Sequence, residues 1–243
     1  MRIDEEIRKE LLSSDGHMGE ITFSSEVCPL PRREGTIKIL KEMGVNNIVH
    51  IGCCGHLHNI KKQVESNTHF HRMLINDFEK VIGFDIERQA VECLSSFGIS
   101  DIYTKDFVEE AGDVERIILN SFGDSPYLVL LPEVLEHIPN PVAFLEKVAR
   151  HHGSRKNKIL ISVPNAYGFG RVCGMLFHNR EEINMDHKYM FTPTTILKVM
   201  CKAGIIPEEI VFLDLYKYSR IFKKPVLGNT IVVTGRFEKE SEL

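Results

Sequence analysis

Acidic residues stand at the ends of several short apolar runs, where a side chain could bind a polar ligand. Asp85 ends the run VIGFD, Asp106 follows YTK, and Glu133 follows YLVLLP. A carboxylate at such a position is costly to bury unless it has a polar partner, and Asp85 could accept hydrogen bonds from the two hydroxyls of a ribose. The first apolar run, NIVHI, leads into Gly52 and Gly55, which would let the backbone approach a ligand closely.

Histidine is the second unusual feature, because the chain contains 11 His and no Trp. His137 lies just past the fourth apolar run, and histidine changes its charge near neutral pH, as a general base requires. Asp186 directly precedes His187, so its carboxylate could orient the neighbouring imidazole. We predict His137 and His187 as catalytic bases on either side of an acceptor. A structural role for His137 in its turn, and a solvent-facing His187, remain the alternatives.

Strands and helices that would position these residues alternate along the chain. The apolar runs lack clean alternation, which is typical of strands covered on both faces. Strands are predicted at 47–51, 81–85, 101–104, 127–131 and 158–163. Helices are predicted at 3–12, 35–43, 57–78, 87–97, 110–121, 140–151 and 193–203. This order indicates an α/β fold with a doubly wound, mostly parallel sheet.

The remaining segments complete the expected architecture. Residues 13–34 and 164–191 read as irregular, and the second of these would form a cover over the acceptor. The runs EEIVFLDLY and NTIVVTGRF near the end predict an antiparallel strand pair at the sheet edge. We expect one domain over 1–243, with an N-terminal helix and cover (1–34), a core (35–163), an insertion (164–191) and a C-terminal helix and strand pair (192–243).

Composition limits the class of protein. The chain has 243 residues, 43% of them hydrophobic and 26% charged, which are typical values for a soluble globular protein. The formal net charge of -4 argues against nucleic acid as a partner, although the segment KYSRIFKK is locally basic. No apolar stretch is long enough to span a membrane, and the six cysteines form no C-x-x-C pair. We therefore expect a cytoplasmic protein, and the sequence leaves its oligomeric state open.

Six segments in this order resemble class I S-adenosylmethionine-dependent methyltransferases of the broad small-molecule group. The segments are VHIGCCG, VIGFDIERQAVE, YTKDF, LLPEVLEHIPNPVAFLEKV, ISVPN and NMDHKYMFTPTTILKVMCKAG. They cover roughly residues 36 to 236, and EVLEHIPNP followed by a strand ending in VPN is the most specific part. The resemblance implies a Rossmann-like methyltransferase fold, with a seven-stranded sheet whose last strand is antiparallel.

The same resemblance implies where S-adenosylmethionine would bind. Gly52 and Gly55 would border its methionine part, Asp85 its ribose, and Asp106 with Phe107 its adenine. Leu131 and Glu133 would line the sulfonium side. The full predicted cofactor set is His50, Gly52, Cys53, Gly55, Asp85, Ile86, Asp106, Phe107, Leu131 and Glu133.

The predicted reaction is methyl transfer to a small-molecule acceptor, at a hydroxyl oxygen of a metabolite or glycan precursor. Asn165, Tyr167 and Asp186, in the segment after the fifth strand, are the predicted substrate-binding residues. His50 and Cys54 depart from the family pattern, which has an acid and a glycine at these places. A non-catalytic relative that binds the cofactor, or serves as a partner subunit, is the alternative function.

Two other classes are weaker. A nicotinamide-dependent oxidoreductase needs G-x-G-x-x-G after the first strand, but Cys54 and Leu57 stand at the second and third glycine positions. A metal site could be sought among Cys53, Cys54, His56, His58, His69 and His71. Their spacing matches none of the structural zinc signatures, so we predict no metal.

Overall fold

The computed structural model describes residues 1–13, 19–23, 28–154, 156–215 and 224–238. Seven strands form one sheet in the order β3-β2-β1-β4-β5-β7-β6. The strands are β1 (Asn47–Ile51), β2 (Lys80–Asp85), β3 (Ile102–Thr104), β4 (Leu128–Pro132), β5 (Lys158–Pro164), β6 (Ile205–Leu213) and β7 (Thr230–Phe237). Strands β1 to β5 are parallel, whereas β7 pairs antiparallel with both β5 and β6. The predicted seven-stranded sheet with an antiparallel last strand is confirmed.

Nine α-helices connect and flank these strands in the described parts of the chain. They are α1 (Glu5–Leu12), α2 (Arg32–Glu42), α3 (Leu57–Glu65), α4 (Phe70–Asp77), α5 (Arg88–Ser96), α6 (Ala111–Phe122), α7 (Pro141–His152), α8 (Phe169–His178) and α9 (Pro193–Lys202). Asn140 caps α7 through its side chain, with Pro141 in the first turn, as its Asn-Pro sequence predicts.

Both faces of the sheet are buried, as the continuous apolar strands predict. Val49, Val129 and Ile159 belong to one hydrophobic cluster, while Ile48 and Leu128 belong to another. Successive residues of a strand point to opposite faces, so the two clusters lie on opposite sides of the sheet. The core is therefore two-layered around the strands, and it leaves the strand ends to form a site.

Three segments differ from the sequence predictions. The segment 13–34 was predicted as irregular, but α2 begins at Arg32 because Pro31 precedes it as N-cap residue. The helical stretch at 57–78 is two helices, α3 and α4. The segment 164–191 contains the helix α8, whose glycines at 170 and 174 weaken the sequence signal. Residues 217–223, most of the basic segment KYSRIFKK, lie outside the described residues.

The N-terminal helix α1 docks on the body of the protein. It packs against α9, and Leu11 is buried in the main core cluster. The backbone N–H of Ile3 donates to the carbonyl oxygen of Glu208 at 2.8 Å, next to the bridge between Arg2 and Glu209. The strand pair β6 and β7 is as predicted, with β6 at the sheet edge and β7 between β5 and β6.

Within the described residues, we find no helix that is both long enough and apolar enough to cross a membrane. All six cysteines are free.

Candidate functional site

The site lies where the strand order reverses. Strand β1 pairs in parallel with both β2 and β4, and a doubly wound sheet binds its ligands at the carboxyl ends of such strands. A cavity of about 1160 Å³ opens there. This volume exceeds the roughly 300–1,000 Å³ of ordinary ligand pockets, so the cavity has room for two ligands side by side.

The glycine loop after β1 forms one wall of this cavity. Gly52 and Gly55 have φ angles of 68° and 64°, which side-chain-bearing residues rarely adopt. A Cβ atom on Gly52 would also lie 2.8 Å from Cγ2 of Val134. The loop therefore requires glycine at 52 on two independent grounds, its backbone angle and its contact with the turn after β4.

Asp85 lies beside this loop, as predicted, and braces it. The backbone N–H of Cys54 donates to Asp85 Oδ2 at 2.9 Å, and that of Glu87 donates to Oδ1 at 3.0 Å. Asp85 borders the cavity together with Ile86, whose side chain is 75% exposed. The structure thus places the predicted ribose-binding carboxylate at the cavity wall, with a fixed orientation.

Asp106 and Phe107 lie at the next strand end. Asp106 Oδ1 accepts hydrogen bonds from the backbone N–H groups of Val108 and Glu109. The ring of Phe107 is buried and stacks on His152, with ring centroids 4.3 Å apart. Both residues border the cavity, but a contact of Phe107 with a base would have to come from its main chain because its ring belongs to the core.

A buried histidine cluster lies beneath the glycine loop. His50 Nδ1 is 3.1 Å from His71 Nδ1, so one ring donates a hydrogen and the other accepts it. Burial lowers the pKa of His71 to about 3 and the pKa of His50 well below its usual value. His69 Nε2 lies 3.1 Å from the carbonyl oxygen of Cys54. The rings of His50 and His71 are therefore neutral, and His50 supports the loop while it borders the cavity.

A second wall of the cavity begins at Glu133. This residue has a φ angle of 56°, an unusual value for a residue other than glycine or asparagine, at the end of β4. Its Oε2 accepts a hydrogen bond from Arg32 at 2.5 Å, and its Oε1 accepts one from the Ser162 hydroxyl at 3.2 Å. Leu131, which was predicted on the sulfonium side of the cofactor, is fully buried in the core, and the neighbouring Pro132 borders the cavity.

Glu136 is the residue that the sequence reasoning missed. It lies in a single 3-10 turn (Leu135–His137) and is 0% exposed. Neither carboxyl oxygen has a hydrogen-bond partner among the described residues. Burial, followed by the charge of Glu133, raises the pKa of Glu136 to about 8. The spacing E-x-x-E-H after a strand was the available signal, because residues three apart on a helical turn face the same way.

The two predicted catalytic histidines lie next to Glu136 and next to each other. The rings of His137 and His187 are perpendicular, with centroids 4.7 Å apart, and His187 Nε2 is 4.0 Å from Glu136 Oε1. Burial and the neighbouring His137 lower the pKa of His187. The segment that carries His187 is tied down because the backbone N–H of Lys188 donates to the carbonyl oxygen of Glu136 at 2.7 Å.

Asp186 has a different partner from the predicted one. Its Oδ2 lies 3.3 Å from His137 Nδ1, so it orients His137 rather than its sequence neighbour His187. Asp186, His137 and His187 all border the cavity. Residues 184, 186 and 187 thus border the cavity, and tertiary contact sets the pairing between Asp186 and His137.

Two predicted substrate-binding residues lie elsewhere. Asn165 is fully buried, and its Nδ2 donates to the carbonyl oxygens of Val226 and Gly228 at 2.7 and 2.6 Å. It therefore joins segments of the fold and does not contact the cavity. Tyr167 is 48% exposed and does not border the cavity either. A polar residue just after a strand can serve chain connection as well as binding, which the sequence alone does not distinguish.

Two groups of side chains in the described residues bring potential metal ligands within 4.8 Å of one another. One consists of Cys53, Cys54 and Asp85, and the other of Glu136, His137 and His187. In the first group, the hydrogen bond with Cys54 and burial raise the pKa of Cys53 well above its usual value, so its thiol stays protonated. His56 and His58, two members of the Cys and His pattern considered above, stack on each other and are exposed.

Several solved structures that are similar to this chain are described as methyltransferases, some of them as S-adenosylmethionine-dependent. One from Archaeoglobus fulgidus is similar over 84% of this chain and 93% of its own, with a TM-score of 0.54 and 16% identity. The small RNA methyltransferase HEN1 is similar over 91% of this chain, with a TM-score of 0.58 and 14% identity. This chain spans only 28% of the HEN1 chain. No family model and no curated protein matches the sequence. The protein has the Rossmann-like methyltransferase fold.

Proposed function

We propose that this protein transfers a methyl group from S-adenosylmethionine to a hydroxyl oxygen of a small-molecule acceptor. The observation that carries the proposal is the division of the cavity into two unlike walls. The glycine loop with Asp85 and Asp106 forms one wall, and Glu133, Glu136, His137 and His187 form the other. A cofactor can occupy the first and an acceptor the second.

The first wall fits the cofactor. Gly52 and Gly55 carry no side chain and have positive φ angles, so the loop backbone can lie close to a ligand. Asp85 keeps its carboxylate at the cavity edge because the N–H groups of Cys54 and Glu87 fix it. Asp106 is held in the same way by two backbone N–H groups. S-adenosylmethionine, when bound, supplies a methyl group that its sulfonium charge has already activated.

The second wall suits a hydroxyl acceptor. His137 and His187 place two imidazoles at the cavity, and Asp186 fixes the orientation of His137. An imidazole positioned on a hydroxyl can take its proton, which contributes typically 10²–10⁴-fold to a rate. Alignment of the acceptor in the cavity contributes separately, up to roughly 7–11 kcal/mol in the best cases.

Calorimetric titration with S-adenosylmethionine tests the cofactor site. We expect Asp85→Asn to weaken binding about ten- to hundredfold. The amide is uncharged and has one acceptor oxygen, so it cannot accept hydrogen bonds from both ribose hydroxyls as a carboxylate can. Asp124→Asn is the matched control, since Asp124 is exposed and lies before β4, at the opposite end of the sheet. Equal affinities of the two variants, or no binding by the wild type at millimolar cofactor, would refute the proposal.

Acceptor candidates are then screened by release of S-adenosylhomocysteine. The panel includes phosphorylated and nucleotide-linked sugars, because an anionic acceptor could use basic side chains near the cavity such as Arg32. A small RNA belongs in the panel as a second candidate, because HEN1 is a small RNA methyltransferase and shares the fold. Binding of the cofactor without turnover of any acceptor would favour the alternative, a non-catalytic relative or partner subunit.

A further inference from the structure

Three potential ligands converge at the acceptor wall of the cavity. One carboxyl oxygen of Glu136 and one nitrogen from each of His137 and His187 lie within 4.8 Å of one another. Bonds from a transition metal to such ligands are about 2.0–2.2 Å long, so small side-chain movements bring all three atoms onto one ion. The set of one carboxylate and two imidazoles is one that proteins use for divalent transition metals.

The state of the Glu136 carboxyl is an independent sign of a missing ligand. The residue is completely buried, yet both oxygens lack a hydrogen-bond partner among the described residues. An unsatisfied buried polar group costs roughly 1–3 kcal/mol, and more when it is charged. Arg32, which could have compensated it, is bound to Glu133. A cation held between Glu136 and the two imidazoles would satisfy this carboxylate.

The surroundings of His137 fit the same role. Its Nδ1 lies 3.3 Å from Asp186 Oδ2, so an N–H on Nδ1 can donate to the carboxylate and leave the lone pair of Nε2 free. Metal-binding histidines characteristically donate their other nitrogen to a carboxylate or carbonyl, which fixes the ring and its tautomer. Asp186 would then orient a ligand instead of a base.

We infer that Glu136, His137 and His187 bind a divalent transition-metal ion such as Mn²⁺, Co²⁺ or Zn²⁺ at the acceptor wall of the cavity. Three protein ligands leave coordination positions open toward the cavity, as in catalytic metal sites. A hydroxyl oxygen bound at an open position becomes more acidic. Its O–H bond breaks, the proton passes to water in the open cavity, and the electron pair stays on the metal-bound oxygen. The metal-binding site does not depend on the proposed function, whereas its role in activating an acceptor hydroxyl rests on that function.

Titration of the protein alone with each metal tests the site without cofactor or acceptor. We expect one equivalent to bind, and Co²⁺ to give a visible absorption spectrum in the wild type. Glu136→Gln and His187→Gln should each weaken binding at least about tenfold, since even the loss of an outer-sphere partner costs 10–100-fold. Glu115→Gln and His151→Gln are matched controls, because Glu115 and His151 form an exposed contact of the same kind elsewhere.

Three results would overturn the inference. The first is the absence of binding at millimolar metal. The second is equal affinity of the Glu136→Gln variant and the Glu115→Gln control, with circular dichroism showing that both are folded. The third is binding that survives Glu136→Gln but is lost in Cys53→Ser, which would move the ion to the other ligand group. Calorimetry with S-adenosylmethionine measures cofactor binding independently of metal binding. Failure of the metal site can therefore be distinguished from failure of the proposed function.

Discussion

Two groups of histidines lie in or near the walls of one cavity, and their surroundings give them different chemistry. His50 and His71 are buried, contact each other through nitrogen, and are kept uncharged by burial. His137 and His187 are partly exposed to the cavity and lie beside the carboxyl groups of Asp186 and Glu136. The first pair can support a loop but is poorly placed to exchange protons. The second pair has the acidic neighbours and the access that a reaction requires.

The largest effect on activity should come from the pair that borders the cavity, His137 and His187. His187→Ala is expected to lower turnover of the identified acceptor by about 10²–10⁴-fold, equivalent to about 3–5 kcal/mol, whether the imidazole acts as a base or as a ligand. The folded state should change little, because His187 lies at the cavity rather than in the core. His151→Ala, at an exposed position outside the cavity, should keep wild-type turnover. Unchanged turnover in His187→Ala would remove this residue from the site.

The next effect concerns the space beneath the glycine loop. A Cβ on Gly83 would lie 2.6 Å from Cys53 Sγ and 2.8 Å from His71 Cε1, so Gly83→Ala should lower the free energy of unfolding by about 1–3 kcal/mol. Gly112→Ala in α6 is the matched control, because nothing lies within 4 Å of the added carbon. It should stabilise the helix by about 0.5–1 kcal/mol. Urea unfolding measures the free energy of unfolding of both variants. An unchanged value for Gly83→Ala would show that the residues around Cys53 and His71 are loosely packed.

The pH dependence of stability further distinguishes the buried pair, His50 and His71, from the pair that borders the cavity. Burial lowers the pKa of His71 from 6.5 to about 3 in the folded protein. The unfolded chain therefore binds a proton first, so stability is present above pH 6.5 and is lost as the pH falls toward 3. As the pH falls from 7 to 5, protonation of this residue in the unfolded chain should lower the free energy of unfolding by about 2 kcal/mol.

His71→Asn offers a hydrogen-bonding group near His50 without a titrating ring, so it should lack this part of the pH dependence. Urea unfolding at pH 7 and pH 5 measures the difference, with His151→Asn as the exposed control. The assignment fails if wild type and His71→Asn lose the same free energy of unfolding between the two pH values.

The smallest effect is expected outside both groups. His58 is exposed, stacks on His56, and does not border the cavity. His58→Ala should change the free energy of unfolding by less than about 0.5 kcal/mol and leave the affinity for S-adenosylmethionine unchanged. A larger change in cofactor affinity would extend the site to the start of α3.

The sheet and the glycine-loop wall could be predicted because each depends on local sequence. Apolar runs separated by helical segments predict parallel strands, and the carboxyl ends of those strands necessarily share one edge. Gly52, Asp85 and Asp106 each lie within two residues of a strand end. The predicted strands therefore also predicted that these residues lie at the cavity. Asn165 follows a strand in the same way, but its amide bonds to the chain near Gly228. The position of a residue after a strand therefore indicates that it lies at the edge of the sheet, but not which group its side chain contacts.

The acceptor wall depended on contacts between segments that are distant in sequence. Asp186 is next to His187 in the chain but pairs with His137, because the backbone N–H of Lys188 ties this segment to the turn that carries Glu136. Burial of Glu136 likewise results from packing that no local pattern records.

The sequence by itself determined the order of the strands and of most helices, the glycine loop, and the acids at the strand ends. These follow from periodicity and backbone preferences, which act over a few residues. The tertiary structure decided which histidines are buried and neutral and which face the cavity. It also decided that the carboxyl oxygens of Glu136 have no hydrogen-bond partner within the described residues. Burial and charge depend on every segment that packs around a group, so they are fixed only when the chain has folded.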